Sequence, residues 1–115
     1  MYRVSKRLEI AGSHNLYLDY ESKCKNLHGH NWIIQIFAEA EKLDKNGMVL
    51  DFTLIKKEIH DFLDHKCLND LFDFNPTAEN IAHWVAQKVS KMNKNVICYK
   101  VLVQESEGNI AIWEI

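Results

Sequence analysis

The period of the hydrophobic pattern changes twice along this chain, and that change limits the possible folds more than any other feature. Residues 2–11 and 31–41 have strand-like patterns, in which apolar side chains recur at alternate positions, although Lys6 interrupts the alternation in the first stretch. In two segments between Phe52 and Met92, separated by a predicted loop over residues 66–76, the apolar residues recur at intervals of three and four, which is typical of one face of a helix. From Val96 to Ile115 the period returns to two. The sequence therefore predicts the order β-β-α-α-β-β.

Two helices are predicted in the middle of the chain. The first follows Asp51, a suitable N-cap, and ends near Asp64-His65. The second follows Thr77, another N-cap candidate, and stops at 93–95. Their apolar stripes are formed by two sets of residues, which are Phe52, Ile55, Ile59, Phe62 and Leu63 in the first helix and Ile81, Trp84, Val85, Val89 and Met92 in the second.

The predicted fold class is α+β, with one domain over residues 1–115. Two amphipathic helices pack most simply on one face of a four-stranded antiparallel sheet. The 115-residue length suits one domain with its own core. Because the other face of this sheet also carries apolar residues, we expect it to meet another subunit.

Composition excludes several classes of partner and location. The net charge of −2 gives no broad basic surface for nucleic acid. No apolar run approaches the roughly 18 residues that a membrane helix requires. No apolar segment follows the basic residues near the N-terminus, so no signal peptide is expected. The three cysteines have no paired spacing, which fits the reducing cytoplasm.

The stretch from Cys24 to Trp32 concentrates residues that bind metals. His28 and His30 are two apart, so in an extended segment their side chains share one side, about 6.5 Å apart at the backbone. His14 supplies a third imidazole at another predicted strand end. Three histidines without a fourth protein ligand are typical of a catalytic zinc, although nickel, copper and iron also accept imidazoles. The alternative is that these are ordinary loop histidines.

Cys24 and the Asp64-His65 pair are candidates for proton transfer. Cys24 lies between Lys23 and Lys25, and nearby positive charge favours the reactive thiolate. The alternative is a buried structural thiol, which is the usual role of a free cysteine. His65 is either a general acid or base tuned by Asp64, or a cation that complements the end of a helix dipole.

Two carboxylates are candidates for substrate binding. Glu105 is either a solvated turn residue or, if it is buried in a pocket, the partner of a guanidine-like ring edge. Glu79 lies in the predicted first turn of the second helix, where a carboxylate complements the helix dipole.

Taken together, these motifs resemble the 6-pyruvoyltetrahydropterin synthase family. The resemblance is carried by Cys24-x-x-x-His28-Gly29-His30, the upstream Ser13-His14, Leu63-Asp64-His65, the stretch 75–80 and Glu105-Ser106, which span most of the chain in order. It is strongest to the branch of 6-carboxytetrahydropterin synthases in queuosine biosynthesis.

The resemblance implies a tunnelling fold, in which trimers close their sheets into a barrel and two trimers stack. It also implies active sites between subunits. His14, His28 and His30 would hold zinc. Cys24 would act as a catalytic base, with Asp64 and His65 as its proton-transfer partners. Glu105 would anchor the pterin, helped by two further residues, Glu79 and Thr77.

The implied substrate is 7,8-dihydroneopterin triphosphate. In the carboxy branch the products would be 6-carboxytetrahydropterin, acetaldehyde and triphosphate, whereas in the pyruvoyl branch the carbon chain stays intact. A non-catalytic zinc or pterin-binding protein is the remaining alternative.

Overall fold

A computed structural model describes all residues, 1–115, and its longest elements are two paired strands. β1, Tyr2–His14, runs antiparallel to β2, His28–Ala40, over their whole length. The sequence predicts strands that stop near residue 11 and start near residue 31, so both are longer than predicted at the same end of the sheet. Backbone pairing with the facing strand holds these ends extended, although their side chains are polar.

The sheet has one strand more than predicted. Strands β1, β2, β4 (Ile97–Ser106) and β5 (Asn109–Glu114) form the predicted antiparallel set, in the order β1-β2-β4-β5. The extra strand is β3, Lys66–Cys67, which pairs in parallel with Gly12 and Ser13 on the outer edge of β1. Two residues are too few to show a periodicity, so this segment is predicted as a loop.

The first helix spans residues 52–63 and is called α1. The side chain of Asp51 accepts from the Thr53 N–H, as predicted for an N-cap. The helix is regular over Phe52–Ile55 and Asp61–Leu63, but Lys56–His60 forms a π-helical turn that the sequence does not predict.

The second helix, α2, is Ala78–Ser90. The Thr77 hydroxyl accepts from the Asn80 N–H at 3.1 Å and caps its N-terminus, as predicted. The fold class is thus confirmed as α+β.

A single apolar core fills the space between the helices and the sheet. Trp32, Ile34 and Ile36 of β2 face Ile59 of α1 and Val85 of α2 within one cluster of 23 buried residues. The one buried polar or charged side chain in the molecule is that of His14. Burial of a polar group without full hydrogen bonding is costly, so this position calls for an explanation.

The sheet face opposite the helices is less well covered. Ile33 and Phe37 of β2 are half-buried there, and Ile110 and Ile112 of β5 are 50% and 57% exposed. Neither helix has the length and apolar character needed to cross a membrane.

Candidate metal centre

Strand pairing brings three imidazoles together at one end of the sheet. His14 and His28 are direct partners across the β1–β2 ladder, and His30 lies two residues further along β2. The ring centroids are 4.6 Å apart for His14 and His28, 5.2 Å for His14 and His30, and 4.8 Å for His28 and His30. The cluster predicted from the spacing of these histidines is therefore formed.

Backbone carbonyls orient two of these rings. His14 Nδ1 lies 2.8 Å from the Pro76 carbonyl oxygen, and His28 Nδ1 lies 2.7 Å from that of Asn26. A carbonyl only accepts, so each Nδ1 carries the proton and each Nε2 keeps its lone pair. This arrangement is typical of histidines that bind metals, in which the outer nitrogen is anchored and the inner one is free.

Two of the inner nitrogens have no partner. Nε2 of His14 and Nε2 of His30 are buried and make no hydrogen bond. Desolvation lowers the pKa of both imidazoles, which favours their neutral, metal-binding form. A buried acceptor without a partner costs about 1–3 kcal/mol. The donor set therefore fits a cation that takes nitrogen ligands.

Glu105 completes the cluster. Its carboxylate oxygens lie 3.3 Å from Nε2 of His30 and 4.0 Å from Nε2 of His14. Ligand atoms of the three histidines and Glu105 all lie within 4.8 Å of one another. The sequence identifies Glu105 only as a candidate substrate anchor, so its direct approach to the imidazoles is an addition from the structure.

Glu79 lies close to this carboxylate. Glu79 and Glu105 line the same open pocket, of about 530 Å³, together with Ala78 and Asn109. Thr77 immediately precedes Ala78 and caps α2. Two of the three predicted substrate residues therefore share a pocket, and the third adjoins it.

Asp64 and His65 form an ion-pair contact at the edge of β1. Asp64 Oδ1 accepts from the Ala11 N–H at 2.9 Å, and Oδ2 lies 2.9 Å from His65 Nδ1. These contacts, with the Ala11 bond first, lower the pKa of Asp64. His65 has a left-handed backbone, with φ of 59°, and its side chain is 82% exposed.

Cys24 lies in the connection between β1 and β2. It occupies a 3₁₀ turn, Lys23–Lys25, and is half-buried. Neither Cys24 nor His65 contributes an atom to the His-Glu cluster. The structure thus groups the predicted metal ligands but leaves the predicted proton-transfer residues outside that group within one chain.

Several contributors to the site carry no sequence signal. The carbonyls of Asn26 and Pro76 are backbone groups. Trp32 packs edge-on against His14 and His30 and donates its indole N–H to the Gly12 carbonyl at 3.1 Å. The apolar periodicity of β2 correctly predicts that Trp32 lies in the core. It does not predict that Trp32 packs against the histidine cluster.

Residues 3–114 match the family model described as 6-pyruvoyl tetrahydropterin synthase. A Bacillus subtilis (strain 168) relative named 6-carboxy-5,6,7,8-tetrahydropterin synthase is 25% identical over 97% of this chain and 84% of its own length. A Pyrococcus furiosus relative named dihydroneopterin monophosphate aldolase is 34% identical over 77% of this chain and 75% of its own length. The structure of Caenorhabditis elegans 6-pyruvoyl tetrahydropterin synthase superposes with a TM-score of 0.74 at 26% identity, over 99% of this chain and 95% of that one.

Proposed function

The chain belongs to the 6-pyruvoyl tetrahydropterin synthase family, and we propose that it converts 7,8-dihydroneopterin triphosphate to 6-carboxy-5,6,7,8-tetrahydropterin, acetaldehyde and triphosphate, as a step of queuosine biosynthesis. The observation that carries the proposal is the convergence of His14, His28 and His30 with two buried, unpartnered Nε2 atoms. The name and nearly full-length match of the Bacillus subtilis relative support the choice of this branch.

Zn²⁺ is the proposed cofactor. His14, His28 and His30 would hold the ion through Nε2, since Nδ1 of His14 and of His28 is bonded to a backbone carbonyl and Nε2 of His30 is buried without a hydrogen bond. Zinc accepts three imidazole ligands and keeps a further position for substrate. When bound, the ion supplies a positive charge that lowers the pKa of a coordinated oxygen group.

Cys24, Asp64 and His65 are the proposed proton-transfer residues. Oδ2 of Asp64 lies 2.9 Å from Nδ1 of His65, and Nε2 of that ring would take or return a proton. The bond from Ala11 to the other Asp64 oxygen fixes the carboxylate against the sheet edge. Cys24 would remove a proton from the substrate side chain, and His65 would move a proton at a second position.

Glu105, Glu79 and Thr77 are the proposed pterin-binding residues. A pterin presents an amino group and a ring N–H side by side, and a carboxylate can accept from both. Glu105 and Glu79 line one pocket, and Glu105 also lies 3.3 Å from Nε2 of His30. The Thr77 oxygen accepts from Asn80, and its own O–H remains available to donate to a ligand.

The exposure of His65 supports an active site shared between subunits. A side chain that is 82% exposed and outside its own chain's metal cluster would serve the site of a neighbour. We therefore propose a homo-oligomer, a trimer or a dimer of trimers, in which the Asp64-His65 pair of one subunit faces the Cys24 of another.

Product analysis tests the proposed reaction. Zinc-loaded protein is incubated with 7,8-dihydroneopterin triphosphate, and acetaldehyde and triphosphate are measured together. Both products are expected in equal amounts. Triphosphate without acetaldehyde would assign the pyruvoyl branch instead, and unchanged substrate would leave a zinc or pterin-binding protein.

Aldol cleavage of a monophosphate is a second candidate, favoured by the 34% identity to the Pyrococcus furiosus aldolase. Both candidates break a carbon–carbon bond of the pterin side chain, so the phosphate number of the substrate separates them. Incubation with dihydroneopterin monophosphate is therefore the parallel assay. Faster consumption of the monophosphate than of the triphosphate would replace the first proposal by this one.

A further inference from the structure

No strand pairs with residues 15–17, which follow His14, yet their backbone groups are hydrogen-bonded. The Asn15 N–H donates to Oδ1 of Asn69 at 2.9 Å, and Nδ2 of Asn69 donates to the Asn15 carbonyl at 2.9 Å. One side-chain amide thus satisfies both backbone groups of Asn15. An asparagine amide carries one carbonyl and one NH₂ group, so it can replace the peptide unit of a neighbouring strand.

The same arrangement repeats two residues later. The Tyr17 N–H donates to Oδ1 of Asn75 at 2.9 Å, and Nδ2 of Asn75 donates to the Tyr17 carbonyl at 3.0 Å. In an extended chain, residues two apart direct their backbone groups to the same edge. β3 pairs with this edge at Gly12 and Ser13. The two amides therefore continue the pairing beyond the last backbone strand.

The opposite edge of this segment holds Cys24. The Leu16 N–H, between the two bonded residues, donates to the Cys24 carbonyl at 2.9 Å. Leu16 is two residues beyond His14, so this contact lies about 7 Å along the chain from the metal ligand. It is the backbone bond that ties the turn carrying Cys24 to the continuation of β1.

Asn75 also belongs to the support of His14. Its carbonyl accepts from the Thr77 N–H at 2.8 Å and from Nδ2 of Asn80 at 2.9 Å. The next carbonyl, that of Pro76, orients His14. The connection to Cys24 and the ring of His14 are therefore held by adjacent residues of one segment.

We propose that Asn69 and Asn75 are positioning residues for Cys24. Their amides act as a substitute strand that keeps 15–17 extended, and Leu16 transmits that geometry to the turn that carries the thiol. The role of the thiol in turnover rests on the proposed function, whereas its placement by these amides does not.

Amide-resolved hydrogen exchange on the zinc-loaded protein tests the placement without substrate. In Asn69→Ala and in Asn75→Ala, we expect the Leu16 amide to exchange about tenfold faster than in wild type, because the first variant removes three hydrogen bonds from the segment and the second removes two. Core amides such as those of Ile34 and Val85 should keep their protection. Two variants are used so that one remains informative if the other does not fold.

Asn80→Ala is the matched control. It removes one side-chain hydrogen bond to the carbonyl of Asn75 but leaves both amide pairs on 15–17 intact. Leu16 exchange in this variant should equal that of wild type. Unchanged Leu16 protection in both Asn69→Ala and Asn75→Ala would overturn the proposal.

Steady-state kinetics then tests the consequence for turnover. A misplaced proton-transfer group should lower kcat about tenfold with KM within roughly twofold, since placement errors act on the reaction more than on binding. Faster Leu16 exchange with wild-type kcat would overturn the positioning role. A wild type without turnover would refute the proposed function alone, because the exchange data decide the placement separately.

Discussion

At the scale of single residues, His14 has the most informative position. It is the one fully buried polar side chain, and only its Nδ1 has a hydrogen-bond partner. A core residue that served packing alone would be cheaper as an apolar side chain. The retained imidazole and its neutral state are instead what a metal ligand requires.

Substitution of a proposed ligand and of the proposed base should have different effects. His28→Ala is expected to lose both zinc and activity, because it removes one of three nitrogen donors. Cys24→Ala should retain stoichiometric zinc and lose at least about 100-fold in kcat, the usual contribution of a general base. Metal analysis and product assays measure the two properties. Full activity of Cys24→Ala would exclude the thiol from the mechanism.

Acidification should destabilise the metal-free protein. Burial lowers the pKa of His14 and of His30 in the folded state, so below about pH 6.5 the unfolded chain binds protons that the folded chain does not. Stability then falls as pH falls from 6.5 towards the folded-state pKa values, by up to about 1.4 kcal/mol per pH unit for each group. Urea unfolding in chelator at pH 7.5 and 5.5 measures this loss.

A matched pair of variants identifies the groups responsible for that pH dependence. His14→Gln combined with His30→Gln should flatten the profile between pH 7.5 and 5.5. His83→Gln should not, because His83 is exposed on α2. If both variants lose the same stability between pH 7.5 and 5.5, groups other than His14 and His30 cause the pH dependence.

At the scale of elements, the start of α2 has both structural and proposed functional roles. Thr77 caps the helix, Pro76 orients His14 and Glu79 lines the pocket with Glu105. The cap is local and therefore predictable from sequence. The π-helical turn in α1 is different, because its residues carry an ordinary amphipathic stripe.

Loss of the cap should be measurable apart from substrate binding. Thr77→Ala is expected to lower the free energy of unfolding by about 1 kcal/mol, since the Asn80 N–H loses its acceptor. Thr77→Ser should restore the stability because it keeps the hydroxyl. If KM rises in Thr77→Ala and recovers in Thr77→Ser, the hydroxyl also contacts substrate. An unchanged stability in Thr77→Ala would contradict the capping role.

At the scale of the whole molecule, the sheet has apolar residues outside its own core. β5 is an edge strand that exposes Ile110 and Ile112, and no strand pairs with the outer edge of β1 before Gly12. Exposed edges and apolar patches of this kind favour association with further copies. The separation of His65 from the histidine cluster of its own chain agrees with a shared site.

Subunit mixing tests that sharing. Cys24→Ala and His65→Ala should each be inactive alone. After co-refolding in equal amounts, about a quarter of the sites should receive an intact Cys24 from one subunit and an intact His65 from its neighbour, so about a quarter of wild-type activity should return. A mixture that stays inactive would place both residues in the same subunit's site.

The sequence by itself determined the order of the four long strands and the two helices, both helix caps, and the placement of His28 and His30 on one side of their strand. These are local properties, because periodicity, capping chemistry and the two-residue spacing of His28 and His30 depend only on neighbours in the chain. The buried face of each helix was predicted for the same reason, except that Phe52, at the first position of α1, is 43% exposed.

Only the tertiary structure decided how far the strands extend. The site depends on that length, because the histidines lie at the strand ends. His14 meets His28 because 13 residue pairs of β1 and β2 stay in register, and no local pattern specifies that register at its polar end. Glu105 reaches the histidines, and Asn69 and Asn75 reach the segment after His14, across large distances in sequence. Such contacts follow from packing and hydrogen bonding between distant segments, which spacing along the chain does not encode.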